Sequence, residues 1–359
     1  MTTATTANIP QLKIARPIIM VAGNEDKSLA LRLISLSISE SEHGLARCEA
    51  VFINWGDPGN GITGFVYFDR SLLDFGKTFS IKIGSDLLFD GRIMALEGQF
   101  PEGRQPRVTV LAEDRLQDLR MTRRTRSFAN ASDADVFNQI AGEHGLAPNV
   151  NLPTQNHKIL SQINQSDLAF LRERARAVDA DLWVENYRLN AQMRSNRSGG
   201  ALRLTYQQGL REFTVIADLA GQRTTVHVNG WDVGSKSTLT HEATDSVLQA
   251  ELNGDTSGAN ILKTAIGSRH DSISHTVPLS ASEARAEAEA IFKMGARRFV
   301  IGQGVAETSG KLRVGNKVDL QGLGPMFSGN YYLTEVRHLF DNGRGIRTEF
   351  TAQRPGLGK

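Results

Sequence analysis

Two stretches of the sequence follow the same plan: FDGRIMALEGQFPEGRQPRVTVL at residues 89–111 and FSGNYYLTEVRHLFDNGRGIRTEFTA at residues 327–352. In each, a Phe-x-Gly triplet precedes a period-two segment with a glutamate six residues after the glycine, and a glycine turn leads into a second such segment. Period two is the pattern of a β-strand with one face towards a core. The equal spacing favours an internal duplication, although two unrelated hairpins with glycine turns would also look alike.

A duplication predicts two similar β-barrel-like domains in one chain. The segments at 76–83 and 315–320 supply a matching strand upstream of each copy. Between the copies the periodicity becomes helical in places, so the fold class is predicted as mainly β with α insertions (α+β), with smaller helix-containing domains beside the two barrels. Three such chains around one axis would present six similar surfaces.

The expected division of the chain follows these changes of period. It comprises an N-terminal tail at 1–11, a first β-barrel domain at 12–113, a helix-containing connecting domain at 114–200, a second β-barrel domain at 201–244 and 298–355, and an inserted helix-containing segment at 245–297.

Three helices are predicted from their capping residues. Ser132 begins one, with acidic residues in its first turn, and a second begins near Ser166 and leads into a strand at 182–185. Ser280 and Glu283 have the spacing of a capping box for a third.

Composition excludes several classes of protein. A chain of 359 residues with 40% hydrophobic residues can form more than one core. Lys plus Arg number 41 against 39 Asp plus Glu, so a formal charge of only +2 gives no sign of nucleic-acid binding. The basic cluster Arg120, Arg123, Arg124 and Arg126 is expected to face solvent or protein instead of phosphate.

Targeting and redox signals are also missing from the sequence. The single cysteine, Cys48, excludes an internal disulfide and a Cys-based zinc site, and its apolar surroundings predict burial. The polar start of the chain does not resemble a signal peptide, and no apolar run reaches a membrane-spanning length of ~20 residues. The protein is therefore expected to be made and kept in a cytoplasm, or to leave it within an assembly.

No catalytic, cofactor-binding or metal-binding residue is predicted. The eight histidines lack metal-ligand spacing, and the glycine-rich segment 56–64 lacks the Lys-Ser/Thr of a phosphate loop. Asp167 and Glu173 are explained by the start of a helix and its solvated face. Trp183 follows an amphipathic helix in a strand, where a place in the core is expected.

Four motifs carry a resemblance: SDLAFLRE at 166–173, ADLWVE at 180–185, VNGWD at 228–232 and the closing run 315–354. They resemble the late control D proteins of phages, and the first two are also similar to a helix and strand in the hub part of the VgrG spike proteins of type VI secretion. The residues that carry the resemblance, with a structural role implied for each, are Asp167, Phe170, Leu171, Trp183, Gly230, Trp231, Phe327, Gly329 and Tyr331.

This resemblance implies a trimeric baseplate hub that adapts a sixfold tail tube to a threefold spike, located in the tail baseplate of a virion or injection particle assembled in the host cytoplasm. The partners implied are two further copies of the chain, a separate spike protein with an OB-fold and β-helix, the tail tube or its initiator, baseplate wedge proteins and the tape-measure protein. Neither a membrane segment nor sequence-specific nucleic acid is among them. The chain ends about where the hub of VgrG ends, which is why the spike is expected to be separate.

Two other classes of protein compete with this interpretation. A tail-associated peptidoglycan hydrolase would need paired carboxylates or a metal site, and the sequence singles out neither. An outer-membrane barrel would share the alternating pattern, but the missing signal peptide and the aromatic content of 7% oppose it.

Overall fold

The computed structural model describes residues 16–59, 61–197, 202–232, 236–274, 278 and 280–358. Strands account for 49% of the residues and helices for 22%, which confirms the predicted fold class of a mainly β protein with helical insertions. The tail predicted at 1–11 lies outside the described residues. Within the described ranges, every helix is too short or too polar to cross a lipid bilayer.

The N-terminal sheet is the first of four parts, each with its own hydrophobic core. Its elements are β1 (Ile18–Val21), β2 (Asn24–Glu25), α1 (Lys27–Arg32), β3 (Leu33–Ser41), β4 (Arg47–Ile53), β5 (Thr78–Ile83), β6 (Asp86–Gln99) and β7 (Arg107–Glu113). Alternate side chains of β3 and β4 enter the core, including Cys48, as its apolar neighbours predicted. Asp26 caps α1 by accepting a hydrogen bond from the Leu29 N–H at 2.8 Å.

The connector follows as a second core. It contains β8 (Arg123–Ser132), α2 (Asp133–Glu143), β9 (Ala147–Asn151), β10 (Asn156–Ser166), α3 (Asp167–Ala177), β11 (Ala180–Glu185) and β12 (Arg188–Met193). Ser132 caps α2 in a capping box with Asp135, and Ser166 caps α3, so both predicted helix starts are confirmed. The two helices pack together over the two-stranded antiparallel sheet of β8 and β10 and the three-stranded sheet β11–β12–β9.

Two strands, β13 (Leu202–Tyr206) and β14 (Gly209–Ala217), then precede an insertion with a core of its own. The insertion contains β15 (Thr225–Asp232), β16 (Ser237–Ala243), α4 (Gln249–Leu252), β17 (Thr256–Ser257), α5 (Gly258–Ala265), β18 (His270–Ile273) and α6 (Ala281–Arg297). Ser280 caps α6, with its hydroxyl accepting from the Glu283 N–H. β15 and β16, placed by the sequence in the second barrel, instead form a separate sheet with β18 that packs against α6. A period-two pattern predicts that a segment is a strand, but it does not predict which strands pair with it.

The C-terminal barrel is completed by the last elements of the chain. These are β19 (Val300–Ala306), β20 (Lys317–Gln321), α7 (Gly324–Phe327), β21 (Gly329–Asp341), β22 (Gly345–Arg354) and β23 (Gly356–Leu357). Among the described residues, β13, β14, β19, β20, β21 and β22 form a closed six-stranded barrel. Gly302 and Gly304 face the Phe213 and Phe350 rings inside it, where an added Cβ would lie within 2.6 Å of a ring atom.

The two β units have the same strand order, as a duplication requires. Neighbours in the N-terminal sheet run β1-β5-β6-β7-β4-β3, and those in the barrel run β13-β20-β21-β22-β19-β14. All ladders from β5 to β3 are antiparallel, and so are their counterparts from β20 to β14. One ladder differs, because β1 runs antiparallel to β5 whereas β13 runs parallel to β20.

A β-bulge sets the correspondence between the copies. The β6–β7 ladder shifts just after Ile93, and the β21–β22 ladder shifts just after Leu333. Ile93 therefore corresponds to Leu333, whereas the alignment of Gly91 with Gly329 is displaced by two residues. An even displacement leaves the same side chains facing the core, so the period-two pattern could not reveal it.

The two units differ in how they close. In the barrel, β13 pairs with β14 at Tyr206 and Leu210. Among the described residues of the N-terminal sheet, β1 and β3 make no such pair. Instead, β3 pairs antiparallel with the second half of β21, from Ser35 opposite Asp341 to Ser41 opposite Glu335. One continuous sheet thus joins the two units.

Candidate functional site

The motif residue Asp167 is the centre of a buried ionic cluster in the connector. Its carboxylate accepts from Arg126 at 3.0 Å, from Gln162 at 2.9 Å and from His144 at 2.8 Å, and Arg124 lies 3.2 Å away. Burial alone would raise the pKa of Asp167, but these hydrogen bonds and cations lower it overall. The expectation of a solvated carboxylate at a helix start was therefore wrong, because β8 brings arginines to it from more than 40 residues away.

The basic cluster on and before β8 faces protein groups. Arg124 and Arg126 pair with Asp167, while Arg120 donates to Glu113 at 2.7 Å and Arg123 donates to the Asn164 carbonyl at 3.2 Å. Carboxylates and a carbonyl thus occupy the positions that phosphates would take. This agrees with the expectation of protein contacts for these arginines.

Phe170 and Leu171 anchor α3 in the connector core. The Phe170 ring stacks on Phe128 with centroids 5.8 Å apart, and the Leu171 side chain is fully buried against α2 and the sheets. These two positions hold the helix in place, which is a structural role.

Trp183 lies at the joint between the connector and the C-terminal barrel. It is half-buried under the Arg197 guanidinium, 3.8 Å from the ring centroid, and not in the core as the sequence predicted. Arg197 also donates to the Val314 carbonyl at 2.6 Å, and Tyr332 of β21 donates to Asp181 of β11. The strand after α3 is thereby tied to the barrel.

The motif on β15 has one residue, Gly230, in close packing and the next, Trp231, exposed to solvent. A Cβ at Gly230 would lie 2.6 Å from the Pro278 carbonyl oxygen, so the position requires glycine. Trp231 is exposed on the outer face of the same strand.

The closing motif supports one end of the barrel. Tyr331 is buried, and its hydroxyl donates to the Phe327 carbonyl at 2.8 Å. Arg354 donates to the Ser328 carbonyl at 2.8 Å, and Gly329 has a φ of +134° that favours glycine. The structure thus distributes the motif residues among the connector, the insertion and the barrel instead of bringing them into one site.

A second ionic cluster joins the connector to the insertion. His157 of β10 lies between Asp133 at 3.2 Å and Glu283 of α6 at 2.8 Å, and Arg174 of α3 donates to Asp133 at 2.6 Å. The hydrogen bonds to Asp133 and then to Glu283 raise the pKa of His157 to about 9. No motif predicted this cluster, since its members come from distant segments.

The raised pKa of His157 predicts a loss of stability at alkaline pH. A folded pKa of about 9 against an ordinary value of 6.5 means that the contribution is complete below pH 6.5 and disappears as the pH rises through 9. It amounts to roughly 3 kcal/mol at most. The free energy of unfolding of the wild type should therefore fall more between pH 6.5 and pH 9.5 than that of His157→Gln. The exposed His270→Gln should behave as the wild type, and equal slopes for wild type and His157→Gln would contradict the assignment.

An exposed aromatic patch lies beside the end of β6. Trp55, Phe65, Phe68 and Phe100 form ring contacts with centroids 5.3 to 5.9 Å apart, although each ring is at least one-third exposed. Contiguous exposed apolar surface marks contact sites for other molecules. No sequence pattern indicated this patch, because its members are spread over residues 55–100.

An acidic cleft holds several charges that already have partners. It has a volume of about 780 Å³ and lies where the N-terminal sheet, the connector and the barrel meet. Glu40 pairs with Arg313 and Asp181 with Arg197, while Asp114, whose pKa is raised to about 6 by burial, accepts backbone N–H groups at 2.9 Å. In the described part of the chain, no group of three His, Cys, Asp or Glu side chains is placed to hold a metal ion. Burial raises the pKa of the Cys48 thiol well above its usual range.

Comparisons with known proteins identify the fold. A family model described as the Alg8 N-terminal domain matches residues 12–342, and no curated protein is significantly similar in sequence. The 43 kDa tail protein of prophage MuSo2 from Shewanella oneidensis superposes with a TM-score of 0.70 at 11% identity, over 95% of this chain and 98% of that one.

Two further solved structures have the same fold. A tail protein from Neisseria meningitidis MC58 superposes with a TM-score of 0.68 at 12% identity, over 96% of this chain and 97% of that one. The E. coli c3393 protein, a type VI secretion component described as similar to the T4 bacteriophage tail proteins gp27 and gp5, superposes with a TM-score of 0.56 at 12% identity, over 95% of this chain and 79% of that one. At such low identity the likeness shows a shared fold.

Proposed function

Because this chain belongs to the Alg8 N-terminal domain family and shares its fold with a prophage tail protein and a tail protein from Neisseria meningitidis, we propose that it is a structural subunit of a phage tail or a related injection apparatus. The family model that matches this chain describes the Alg8 N-terminal domain and not the late control D proteins. A relationship to the late control D proteins, which the motifs on α3 and β11 resemble, is therefore a proposal.

The specific role proposed is that of a baseplate hub, formed by three copies of the chain. The observation that carries it is the pair of β units with one strand order, joined edge to edge through β3 and β21. Three chains then supply six similar units to a sixfold tube, while the chain as a whole repeats three times towards a threefold spike. The ionic clusters at Asp167 and His157 are proposed to hold the connector and the insertion rigidly outside this ring.

The partners proposed are a separate spike protein with an OB-fold and β-helix, the tail tube or its initiator, baseplate wedge proteins and the tape-measure protein. The location proposed is the tail baseplate of a virion or injection particle, after assembly in the host cytoplasm. Around the trimer axis we propose a passage that continues the tube, plugged by the spike before injection. We assign no catalytic role to the chain.

The domain division proposed follows the hydrophobic cores. The N-terminal sheet spans residues 18–113, the connector 123–193, and the barrel combines 202–217 with 300–354. The insertion then begins near residue 225 and not at 245, because β15 and β16 share its core with α6.

The test of this role is the mass of the assembled protein. Light scattering of the purified chain, alone and mixed with its spike partner, is expected to give a species of three chain masses. A persistent monomer under both conditions, or a stable hexamer, would contradict the hub role. Imaging of the particle then locates the chain relative to the tube.

A further inference from the structure

Among the described residues, two long strands of the large sheet, β6 and β14, have one side that is partly unpaired. β14 pairs with β19 along one side, but its other side meets β13 only at Gly209 and Leu210. From residue 211 to 217, that side makes no backbone hydrogen bond to any described residue. β6 pairs with β7 up to Gln99, and its other side is occupied only as far as Ile93, which bonds to the backbone of the segment before β5.

Both free edges have a paired counterpart elsewhere in the chain. By strand order, β21 corresponds to β6 and β3 corresponds to β14. β21 pairs with β20 only up to Tyr332, after which its second half, from Glu335, pairs with β3. The edges that are bare on β6 and β14 are therefore the same edges that form the joint between the two units.

Bulges make the correspondence of β3 and β14 definite. The β3–β4 ladder shifts just after Leu33, and the β14–β19 ladder shifts just after Leu210, both buried leucines. Counting from these residues, Leu36 corresponds to Phe213 and Ile38 to Val215. On the other strand, the bulges at Ile93 and Leu333 make Phe100 the counterpart of Phe340.

Corresponding residues are more exposed on the unpaired edges of β6 and β14 than on the paired edges of β21 and β3. Phe340 is 2% exposed, because it crosses the joint and packs in the core of the N-terminal sheet, whereas Phe100 is 66% exposed in the aromatic patch. Leu36 is buried next to β21, whereas its counterpart Phe213 is only half-buried. The free stretch of β14 is REFTVIA at 211–217; its first two residues are charged, but the following FTVIA has no charged residue or proline of the kind that protects natural sheet edges.

We propose that the free edge of β6 in one copy pairs antiparallel with the free edge of β14 in a second copy, in the register of the β21–β3 joint. This inference rests on the proposed trimer and names the surface that builds it. The internal register places Phe100 opposite Phe213, Gly98 opposite Val215 and Glu97 opposite Ile216 of the second copy. Phe100 then enters the second copy's barrel as Phe340 enters the N-terminal sheet.

The direction of the strands agrees with this pairing. From β6 to β14 the sheet runs β6-β7-β4-β3-β21-β22-β19-β14, with every ladder antiparallel. An even number of alternating strands leaves β6 and β14 running in opposite directions, so successive copies continue the alternation. Along the sheet, six strands lie between the two edges of one chain.

Cysteine cross-linking tests the pairing and its register. Directly opposite residues in an antiparallel ladder have Cα atoms about 4.5–5.5 Å apart, within the range that a disulfide spans. The native Cys48 is buried and does not compete. Glu97→Cys with Ile216→Cys, both at exposed positions, is expected on mild oxidation to give a ladder of linked chains that ends at three. The control Glu97→Cys with Glu212→Cys lies on the same face but four residues out of register, and should remain unlinked.

The outcomes separate the surface from the trimer. Linked chains that stop at two or continue beyond three would support the edge pairing and overturn the threefold hub. A wild-type trimer without linkage of the matched pair would overturn the pairing alone. Absence of both at high protein concentration would overturn both.

Two further experiments test whether another segment covers these edges and whether the contact between copies lies elsewhere. If linkage appears only after deletion of residues 2–15, that segment of the same chain covers an edge and the proposal fails for the whole protein. Phe100→Ser should abolish the three-chain species while leaving the melting temperature of the monomer unchanged, whereas the exposed Ile266→Ser in the insertion should leave it intact. A trimer that survives Phe100→Ser with unchanged stability would place the contact elsewhere.

Discussion

Replacing Leu171 by aspartate is expected to lower the free energy of unfolding by about 4 kcal/mol or more and to remove most of the soluble protein. Leu171 is 0% exposed, and the core around it is built from aliphatic and aromatic side chains of α2, α3 and the connector sheets. Loss of the leucine leaves a cavity, and the new carboxyl group is taken out of water into apolar surroundings. Thermal unfolding followed by circular dichroism, together with soluble yield, measures the effect.

The matched control is Ala169→Asp, which puts the same side chain on the exposed face of the same helix. Its effect should stay within about 0.5 kcal/mol, since surface substitutions rarely exceed that. Wild-type melting of Leu171→Asp would show that α3 does not bury this face, and with it the account of the connector core would fail.

Replacing Arg297 by methionine is expected to cost about 3–5 kcal/mol, because it leaves two carboxylates without the cation between them. The buried Arg297 at the end of α6 donates to Glu251 of α4 at 2.6 and 2.8 Å, and to Asp179 after α3 at 2.7 Å. Burial alone would lower the pKa of Arg297, but these hydrogen bonds raise it overall. The residue therefore fastens the insertion to the connector.

Two further variants separate the charge from the volume of the side chain. Arg285→Met removes an exposed arginine from the same helix, where it pairs with Glu289, and should cost less than about 1 kcal/mol. Combining Arg297→Met with Asp179→Asn and Glu251→Gln should recover much of the loss, because the carboxylate charges are removed together with the arginine. Asparagine also tolerates the φ of +54° at position 179. A triple variant no more stable than Arg297→Met would contradict an electrostatic origin.

Together, these joints explain how a chain with four cores can act as one rigid part. The clusters at His157 and Arg297 connect the connector to the insertion, and the contact of Tyr332 with Asp181 connects the connector to the barrel. Charged groups in such joints specify one arrangement of the cores, since each must find its partner to compensate for lost hydration. The role proposed for this chain, as a subunit between a tube and a spike, requires such rigidity.

Local patterns in the sequence determined much of the fold. Period-two segments, glycine turns and the capping residues Ser132, Ser166 and Ser280 depend on backbone geometry within a few residues, and they predicted the β class, the repeat and the helix starts. The resemblance carried by the motif on α3 implied a structural role for Leu171, which lies in the connector core. The strands, turns and helix starts depend on residues that are near neighbours in the chain.

Tertiary structure alone decided which strands are neighbours and which charges meet. β15 and β16 alternate as the barrel strands do, yet they belong to the insertion, and the duplication was misaligned by two residues because alternation is unchanged by an even shift. The sequence predicted a solvated carboxylate for Asp167 at the start of a helix, whereas β8 places Arg126 3.0 Å from this carboxylate. The free edges of β6 and β14 were hidden for the same physical reason, since pairing between strands depends on hydrogen bonds and side-chain contacts across long sequence separations, which no local pattern records.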